Sequence, residues 1–392
     1  MTSTLYLAVQ YLRFHAARSA IVVLAVALII AVPAVIHLLL DASERQMTAR
    51  AASTPLVVGA RGSTLDLVLN SLYFTGDRPP LTSVAASEEV WASGLAAAIP
   101  LYARFEAQGA PIVGTTLDYF EFRGLEVADG RDLAVLGEAV LGATVARDLG
   151  LAPGDSLVSS PENLFDLGGT YPLRMPVVGV LAATGGPDDR AVFVDLKTAW
   201  VIEGIGHGHG EAAEADDLLA RTERNVVAGP ALPTFAEITP ENIDSFHFHG
   251  SSDSYSVTAV IAVPNDERSG VILRGRYLDR EEPLQIVVPQ DVVDGLLATM
   301  FRIGRLIDTV VATIALAAVL AIALVFYMSL ELRRGEIETV FRLGCRRSTI
   351  LRLIGAEIAI LLGAGIVFAA VVVSAIAAGR EDLALWLLGS WE

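Results

Sequence analysis

Four of the six histidines in this 392-residue chain lie in two His-x-His pairs. His207 and His209 form the first pair, and His247 and His249 form the second. In an extended strand, residues i and i+2 point to one face, so each pair can offer two imidazoles to one ion. Imidazole nitrogens, together with carboxylates such as that of Glu211, are ligands that zinc accepts. The pattern therefore predicts Zn²⁺ binding, with one site if the pairs cooperate.

The alternative is a solvated acidic loop in which the histidines have no role. The first pair has glycine at every second position and is followed by four acidic residues within 211–217, which is typical of a flexible loop. The spacing also matches none of the established zinc signatures. No intrinsic cofactor is expected beyond this candidate metal.

Catalytic chemistry has little support in the sequence. Serines lie near His249, but the G-x-S-x-G setting of an activated nucleophile does not occur in the chain. A Walker A motif is also absent, and the only lysine, Lys197, has no glycine-rich loop before it. We therefore expect a non-catalytic chain, with any ATPase activity on a separate polypeptide.

A basic segment, residues 331–353, lies between two long apolar runs. Residues 306–330 and 354–378 each have 25 residues and one charge, Asp308 and Glu357 respectively. About 20 apolar residues span a hydrocarbon core, so both runs are predicted transmembrane helices. The segment between them has six arginines and three glutamates, so the positive-inside rule places it in the cytoplasm. Helical spacing of its apolar residues predicts a short amphipathic helix that begins at Glu331 and ends at Gly344.

This segment, RRGEIETVFRLGCRRSTILRLIGAE, resembles the cytoplasmic loop of the MacB-like, FtsX-domain ABC permeases, which are related to lipoprotein-release permeases. In that family the helix docks into a cleft of a separate ATPase, and the resemblance implies the same role here. Cys345 departs from the family pattern, which has alanine at that place. The implied coupling residues are Arg333, Arg334, Glu336, Ile337, Phe341, Arg342, Gly344 and Arg346.

The amino-terminal apolar run, residues 20–40, predicts a first span. It has no formal charge and follows Arg13 and Arg18, so its amino end is expected in the cytoplasm. It is too long for a cleaved signal peptide, and no small-residue cleavage site closes it. The predicted protein therefore has three spans, with residues 41–302 outside the cytoplasm, and we expect it in the bacterial inner membrane.

Charge is divided unevenly along the chain. Residues 41–302 have 37 acidic and 18 basic side chains, whereas the remainder is close to neutral. Nucleic acid needs a clustered positive surface, so it is excluded as a partner. A large acidic domain suits the periplasm and attracts cations.

The predicted fold class is a membrane protein with an α-helical transmembrane part and a large α+β extracytoplasmic domain between spans one and two. Short apolar strands separated by turn residues indicate the α+β class of this domain. A second stretch within 137–195 resembles the extracytoplasmic domain of the same family. The boundaries that we expect are 1–40, 41–302, 303–330, 331–353, 354–378 and a tail at 379–392. By analogy with the family, 41–113 and 251–302 form a membrane-proximal subdomain and 114–250 form an insert.

Span three has a stripe of small residues, Gly355, Ala359 and Gly363, which permits close packing of helices. The resemblance implies a homodimer, because two ATPase subunits need two docking loops. Family members usually have four spans, whereas residues 379–392 are too short to cross a bilayer. We expect residues 383–391 to form an amphipathic helix at the outer interface, with Trp386 and Trp391 as anchors.

The sequence thus favours the transmembrane permease subunit of an ABC transporter of the mechanotransmission type. Its expected partners are two copies of an ATPase subunit, a second copy of itself, membrane lipid and a periplasmic binding or adaptor protein. The competing hypothesis is a membrane-anchored periplasmic sensor or metal-binding protein that has no ATPase partner. A passive anchor would not need the basic helix within 331–353, which distinguishes the two.

Overall fold

The structure is a computed structural model that describes residues 2–160, 172–208, 218–221, 226–228, 236–278, 283–332, 334–342, 344 and 346–378. It divides into two compact units. The first, which we call the membrane unit, comprises Met1–Arg45 and Gly295–Glu392, and the second, which we call the domain unit, comprises Gln46–Asp294. We describe each unit separately.

The described residues form eleven α-helices and seventeen strands. The helices are α1 (Thr2–Phe14), α2 (Ala16–Ala52), α3 (Thr64–Tyr73), α4 (Val84–Ala92), α5 (Leu117–Arg123), α6 (Ala143–Leu149), α7 (Leu196–Glu203), α8 (Glu267–Arg276), α9 (Pro289–Leu332), α10 (Arg334–Arg342) and α11 (Arg347–Ala378). The strands are β1 (Leu56–Ala60), β2 (Thr82–Ser83), β3 (Ala96–Ala107), β4 (Ala110–Thr115), β5 (Val127–Gly130), β6 (Ala139–Leu141), β7 (Ser156–Val158), β8 (Leu173–Leu181), β9 (Val192–Asp195), β10 (Gly206–Gly208), β11 (Leu218–Arg221), β12 (Val226–Ala228), β13 (Ala236–Glu237), β14 (Phe246–Phe248), β15 (Ser256–Val257), β16 (Ala259–Pro264) and β17 (Leu284–Val287).

Three of the described helices are long and apolar enough to cross a membrane. Span one is Ala16–Leu39 within α2, span two lies within Pro289–Leu332, and span three is Ser348–Ala378 within α11. The predicted membrane class with three spans is therefore confirmed. Residues 289–305 and span two form one helix, α9, because no proline after Pro289 interrupts them. The sequence predicted a new helix from Glu331, whereas α9 includes this residue and α10 begins at Arg334.

In the membrane unit, α11 packs against α2 through small and branched side chains. Val22 and Val26 form a buried cluster with Leu361. Gly365 lies against Val26, since a Cβ built on this glycine would be 2.6 Å from Val26 Cγ1. The two helices approach closely at this glycine because it has no side chain.

The domain unit is built on a mixed sheet of eleven strands. Its main path is β13-β8-β6-β9-β4-β3-β16-β1-β17, and β5 and β7 also pair with β8. β1 lies between β16 and β17 and is antiparallel to both. β3 turns into β4 through Gln108 and Gly109, which both have positive φ and so match the turn that twisted hairpins favour. Strands from both ends of the domain sequence and from its middle therefore share one sheet.

Most strands in this sheet lie close to the apolar runs in the sequence. The apolar segments 139–142 and 191–194 form β6 and β9, and residues 144–149 lie in α6. The apolar segment 256–263 is divided into β15 and β16 at Thr258, which donates its backbone N–H and its hydroxyl to the Leu101 carbonyl. Buried residues of α4, α7 and α8 pack in one apolar cluster with the strands.

Candidate functional site

The basic segment of the membrane unit contains a short exposed helix, α10. It begins at Arg334, three residues later than the sequence predicted, and ends at Arg342. Gly344 has φ of +93°, a left-handed conformation that glycine adopts without strain and that commonly ends helices. Gly344 therefore separates α10 from α11, which begins three residues later.

Two ion pairs follow the helical spacing of this segment. Glu331 Oε1 accepts a hydrogen bond of 2.8 Å from Arg334, and Glu338 Oε1 accepts one of 2.6 Å from Arg342. All four side chains are exposed, so each pair contributes only a few tenths of a kcal/mol, about 0.2–0.5, to helix stability. Their main effect is to hold the guanidinium groups on the helix surface, where a partner can reach them.

The structure places only part of the predicted coupling set. Arg334, Arg342 and Arg346 are exposed, as a docking surface requires. Arg333 lies outside the described residues, as do the side chains of Glu336, Ile337 and Phe341. The role of this set stays a prediction.

The predicted small-residue stripe does not carry the packing within this chain. A Cβ on Gly355 or on Gly363 would meet nothing within 4 Å, and Ala359 is exposed. The glycine that packs on α2 is instead Gly365, two residues from the end of the stripe. The role of this stripe in packing against another chain stays a prediction.

Two polar groups in the membrane unit have neighbours that the sequence did not reveal. Glu357 is 6% exposed and lines a small open pocket with Tyr11, His15 and Arg18. At the opposite ends of the spans, His37 Nε2 lies 3.1 Å from Asp308 Oδ1. Only the matching depth of His37 and Asp308 in neighbouring spans could have indicated this pair.

Two of the four paired histidines, His207 and His247, lie in a small two-stranded ribbon in the domain unit, and His249 directly follows it. β10 and β14 are antiparallel, with His207 directly opposite His247. The rings of His247 and His249 have centroids 4.7 Å apart, and His247 Nδ1 lies 3.1 Å from the Ser245 carbonyl oxygen. A carbonyl only accepts hydrogen bonds, so this contact assigns the proton to Nδ1 and the lone pair to Nε2.

The ribbon brings the histidine pairs together without completing a metal site. His209 and Glu211 lie outside the described residues, as does the side chain of His207. Among the described residues, no group of three or more metal-ligating side chains is present. The register of β10 and β14 is the only geometric support for the predicted zinc site.

The last turn of α2 lies in the domain unit and holds a buried network that the sequence analysis missed. Arg50 donates to both carboxylate oxygens of Asp188, at 2.5 and 2.8 Å, and to the Tyr119 hydroxyl at 2.7 Å. Tyr119 donates to Asp188 Oδ1 at 2.7 Å, which closes a ring of hydrogen bonds. The side chains of Arg50 and Asp188 are 10% and 3% exposed. We call Arg50, Tyr119 and Asp188 the Arg50 clamp.

Protonation states in this network follow from burial and charge. Burial by itself lowers the pKa of a guanidinium, but the contacts with Tyr119 and Asp188 raise the pKa of Arg50 above its ordinary value. Burial also raises the pKa of the Tyr119 phenol. Burial and the charge of Arg50 lower the pKa of Arg123, which stacks near the Tyr119 ring. At neutral pH the Arg50 clamp therefore consists of a charged arginine and a neutral tyrosine.

The chain resembles a known protein family and a group of solved structures. The family of the MacB-like periplasmic core domain matches residues 19–213. A search of curated proteins finds no match. Three solved structures align with the chain at 10–11% identity.

The first of these structures is the periplasmic region of MacB from Actinobacillus actinomycetemcomitans, with a TM-score of 0.33 over 62% of this chain and 92% of that chain. The second is the extracellular domain of the ABC-type transporter YknZ from Gram-positive bacteria, with a TM-score of 0.32 over 59% and 98%. The third is a domain of a permease protein from Porphyromonas gingivalis, with a TM-score of 0.27 over 59% and 86%.

Candidate spans precede and follow a large domain of mixed α/β structure in the sequence, so the chain is a membrane protein with one large water-facing part. The family match identifies that part as a periplasmic-type domain. The match of residues 19–213 supports the assignment of the chain to the MacB-like ABC transporter permeases.

Proposed function

We propose that the chain is the non-catalytic permease subunit of an ABC transporter and that α10 is the element on which a separate ATPase docks. The observation that carries this proposal is an exposed helix, bordered by arginines on both sides, between two candidate spans in a chain with a MacB-like periplasmic core domain. Exposed arginines at 334, 342 and 346 supply charge for a partner surface. The bacterial inner membrane is the expected location, with the domain unit in the periplasm.

The proposed mechanism is mechanotransmission, in which ATP-driven closure of two ATPase subunits moves the spans and thereby the periplasmic domain. The described part of span two has Asp308 as its single acid within 306–330, so it offers few groups to line an aqueous path. A homodimer is proposed because two ATPase subunits need two docking helices. Membrane lipid and a periplasmic adaptor are the further proposed partners.

Docking is tested by charge reversal on the exposed face of α10. Arg342→Glu, alone and with Phe341→Asp, should abolish co-purification of the ATPase from the native membrane, because it replaces an exposed positive charge of the proposed docking surface by a negative one. Arg276→Glu is the matched control, since it reverses an equally exposed arginine on α8 of the domain unit. Retention of the ATPase by both α10 variants would overturn the proposal and leave the anchored sensor as the function.

Zinc binding by the domain unit is a second candidate function. The register that places His207 opposite His247 favours a site that joins the two pairs. Acidic residues of the domain would raise the local cation concentration without specificity.

Calorimetry of the full chain in nanodiscs tests this function. Zinc should bind with an affinity that falls as pH drops below about 6.5, because protonated imidazoles are not ligands. Changing His207 and His209 to alanine should weaken binding, and changing His247 and His249 should weaken it by a similar factor. Equal zinc uptake by the wild type and the quadruple alanine variant would show that the histidines have no metal role.

A further inference from the structure

The Arg50 clamp lies where α2 ends in the domain unit. α2 is one helix of 37 residues that also contains span one, and at 1.5 Å per residue it is about 55 Å long. Arg50 lies in its last turn. When such a helix shifts or rotates, the residues that hold its last turn are therefore displaced with it.

Three separate segments of the domain unit hold the end of α2. From α3, the Leu72 carbonyl accepts from Arg50 Nε at 3.1 Å, and the Tyr73 hydroxyl donates to the Met47 carbonyl at 2.6 Å. From α5, Arg123 donates to the hydroxyls of Ser53 and Thr54, and Tyr119 accepts from Arg50. From the 3-10 turn Pro187–Arg190, Asp188 accepts both arms of the guanidinium.

The clamp residues connect directly to the centre of the sheet. α5 follows β4, and the turn that contains Asp188 leads into β9, which pairs with β4 in parallel. Phe193 of β9 packs under the clamp, with ring centroids 5.7 Å from Tyr119 and 5.4 Å from Phe120. A force on Arg50 thus reaches two neighbouring strands through a charged contact and an aromatic contact.

We propose that the Arg50 clamp is the point at which movement of span one enters the periplasmic domain, with Arg50 as the positioning residue and β4 and β9 as the receiving strands. This inference rests on the proposed function, because it assigns the route of the motion that an ATPase would drive. A guanidinium that holds a carboxylate through two parallel hydrogen bonds fixes both distance and orientation, which a sliding apolar contact does not.

If the clamp were only a structural ion pair, its removal would have a different effect from the loss of a transmitted movement. Removing one partner would leave a buried charge and destabilise the domain for that reason alone, whereas replacing all the polar members by apolar residues of similar volume is often neutral. The informative variant is therefore Arg50→Met, Asp188→Leu and Tyr119→Phe combined. Arg50→Lys keeps the charge and loses the two-armed contact. The control is Arg147→Met with Asp148→Leu, which removes an exposed pair in the same unit.

The experiment is hydrogen exchange on the full chain with its ATPase in nanodiscs, with and without ATP and vanadate. We expect ATP to change exchange in residues 117–123 and 187–195 of the wild type and of the control. In the triple variant this change should be lost while the melting temperature and the ATPase rate stay at wild-type values, and Arg50→Lys should retain part of it.

Each outcome separates the two proposals. An ATP-dependent change that persists in the triple variant overturns the clamp, as does a wild-type complex that hydrolyses ATP without changing these segments. If the chain recruits no ATPase, the lack of co-purification shows this before hydrogen exchange is measured. That result would overturn the proposed function together with the clamp.

Discussion

Glu138 is a buried carboxylate that depends on its hydrogen bonds. It is 7% exposed, and it accepts from the Arg131 guanidinium and from the backbone N–H groups of Ala134 and Val135, both at 3.0 Å. Burial by itself raises the pKa of this carboxyl, but these bonds outweigh it and lower the pKa below the ordinary value. A carboxyl with a lowered folded-state pKa stabilises the fold above its unfolded-state pKa of about 4.3, and that stabilisation disappears as pH falls through the folded value.

We therefore expect Glu138→Gln to destabilise the chain by about 1 kcal/mol at pH 7, because the neutral amide satisfies the donors less well. The effect is small for a buried group because the Arg131 side chain is half exposed and screened by solvent. The variant should also lose less stability between pH 5 and pH 3 than the wild type. Thermal unfolding at a series of pH values measures both effects. Glu88→Gln is the control, because Glu88 is an exposed carboxylate on α4. Curves of stability against pH that are parallel for the wild type and Glu138→Gln would contradict the prediction.

Single residues were predictable where their chemistry is local. The histidine pairs and the helix-ending Gly344 are visible in a few consecutive letters of sequence. Arg50 and Asp188 are 138 positions apart, and neither has a neighbour in sequence that signals the contact. Burial of an ion pair depends on the assembled sheet, so no local pattern could indicate the Arg50 clamp.

At the scale of elements, Gly365 determines how closely α11 and α2 can approach. A β-branched side chain there would overlap Val26, and overpacking of this kind costs about 1–3 kcal/mol. We expect Gly365→Val to lower the melting temperature of the detergent-solubilised chain by several degrees.

Gly363→Val is the matched control, since its Cβ would meet nothing within 4 Å in this chain. It should leave the melting temperature of the monomer unchanged, and it should weaken a homodimer if the predicted stripe of Gly355, Ala359 and Gly363 forms the interface. Equal loss of monomer stability in both variants would contradict the packing described for Gly365.

Periodicity and composition predicted which helices and strands are present, but they predicted the ends of these elements less well. The spans and the sheet strands lie close to the apolar runs because burial in lipid or in a core needs those residues. The start of α10 was placed at Glu331, although α9 extends through Leu332, because the charged residues that suggested a new helix are also compatible with the end of an old one. The sequence left the histidine segment open between extended strands and a solvated loop, and β10 forms there through pairing with distant β14.

At the scale of the whole molecule, the composition established the class and the family match established the type of domain. Uneven charge and three long apolar runs are properties of the entire chain, and they predicted a membrane protein with an acidic domain. The resemblance grouped residues 41–113 with 251–302, but the single sheet that also joins them to strands within 139–195 was not foreseen, because pairing between such distant strands leaves no trace in local sequence.

The position of β1 between β16 and β17 determines when the domain can fold during export. Both partners of β1 lie about 200 residues later in the chain, so this strand emerges from the translocation channel long before either neighbour does. Its apolar residues Leu56, Val57 and Val58 cannot be paired on either edge until residues 259–287 have crossed. Because contacts of such high sequence separation form slowly and leave apolar strands exposed meanwhile, we expect the newly exported domain to be most prone to aggregation until residues 259–287 are available for pairing.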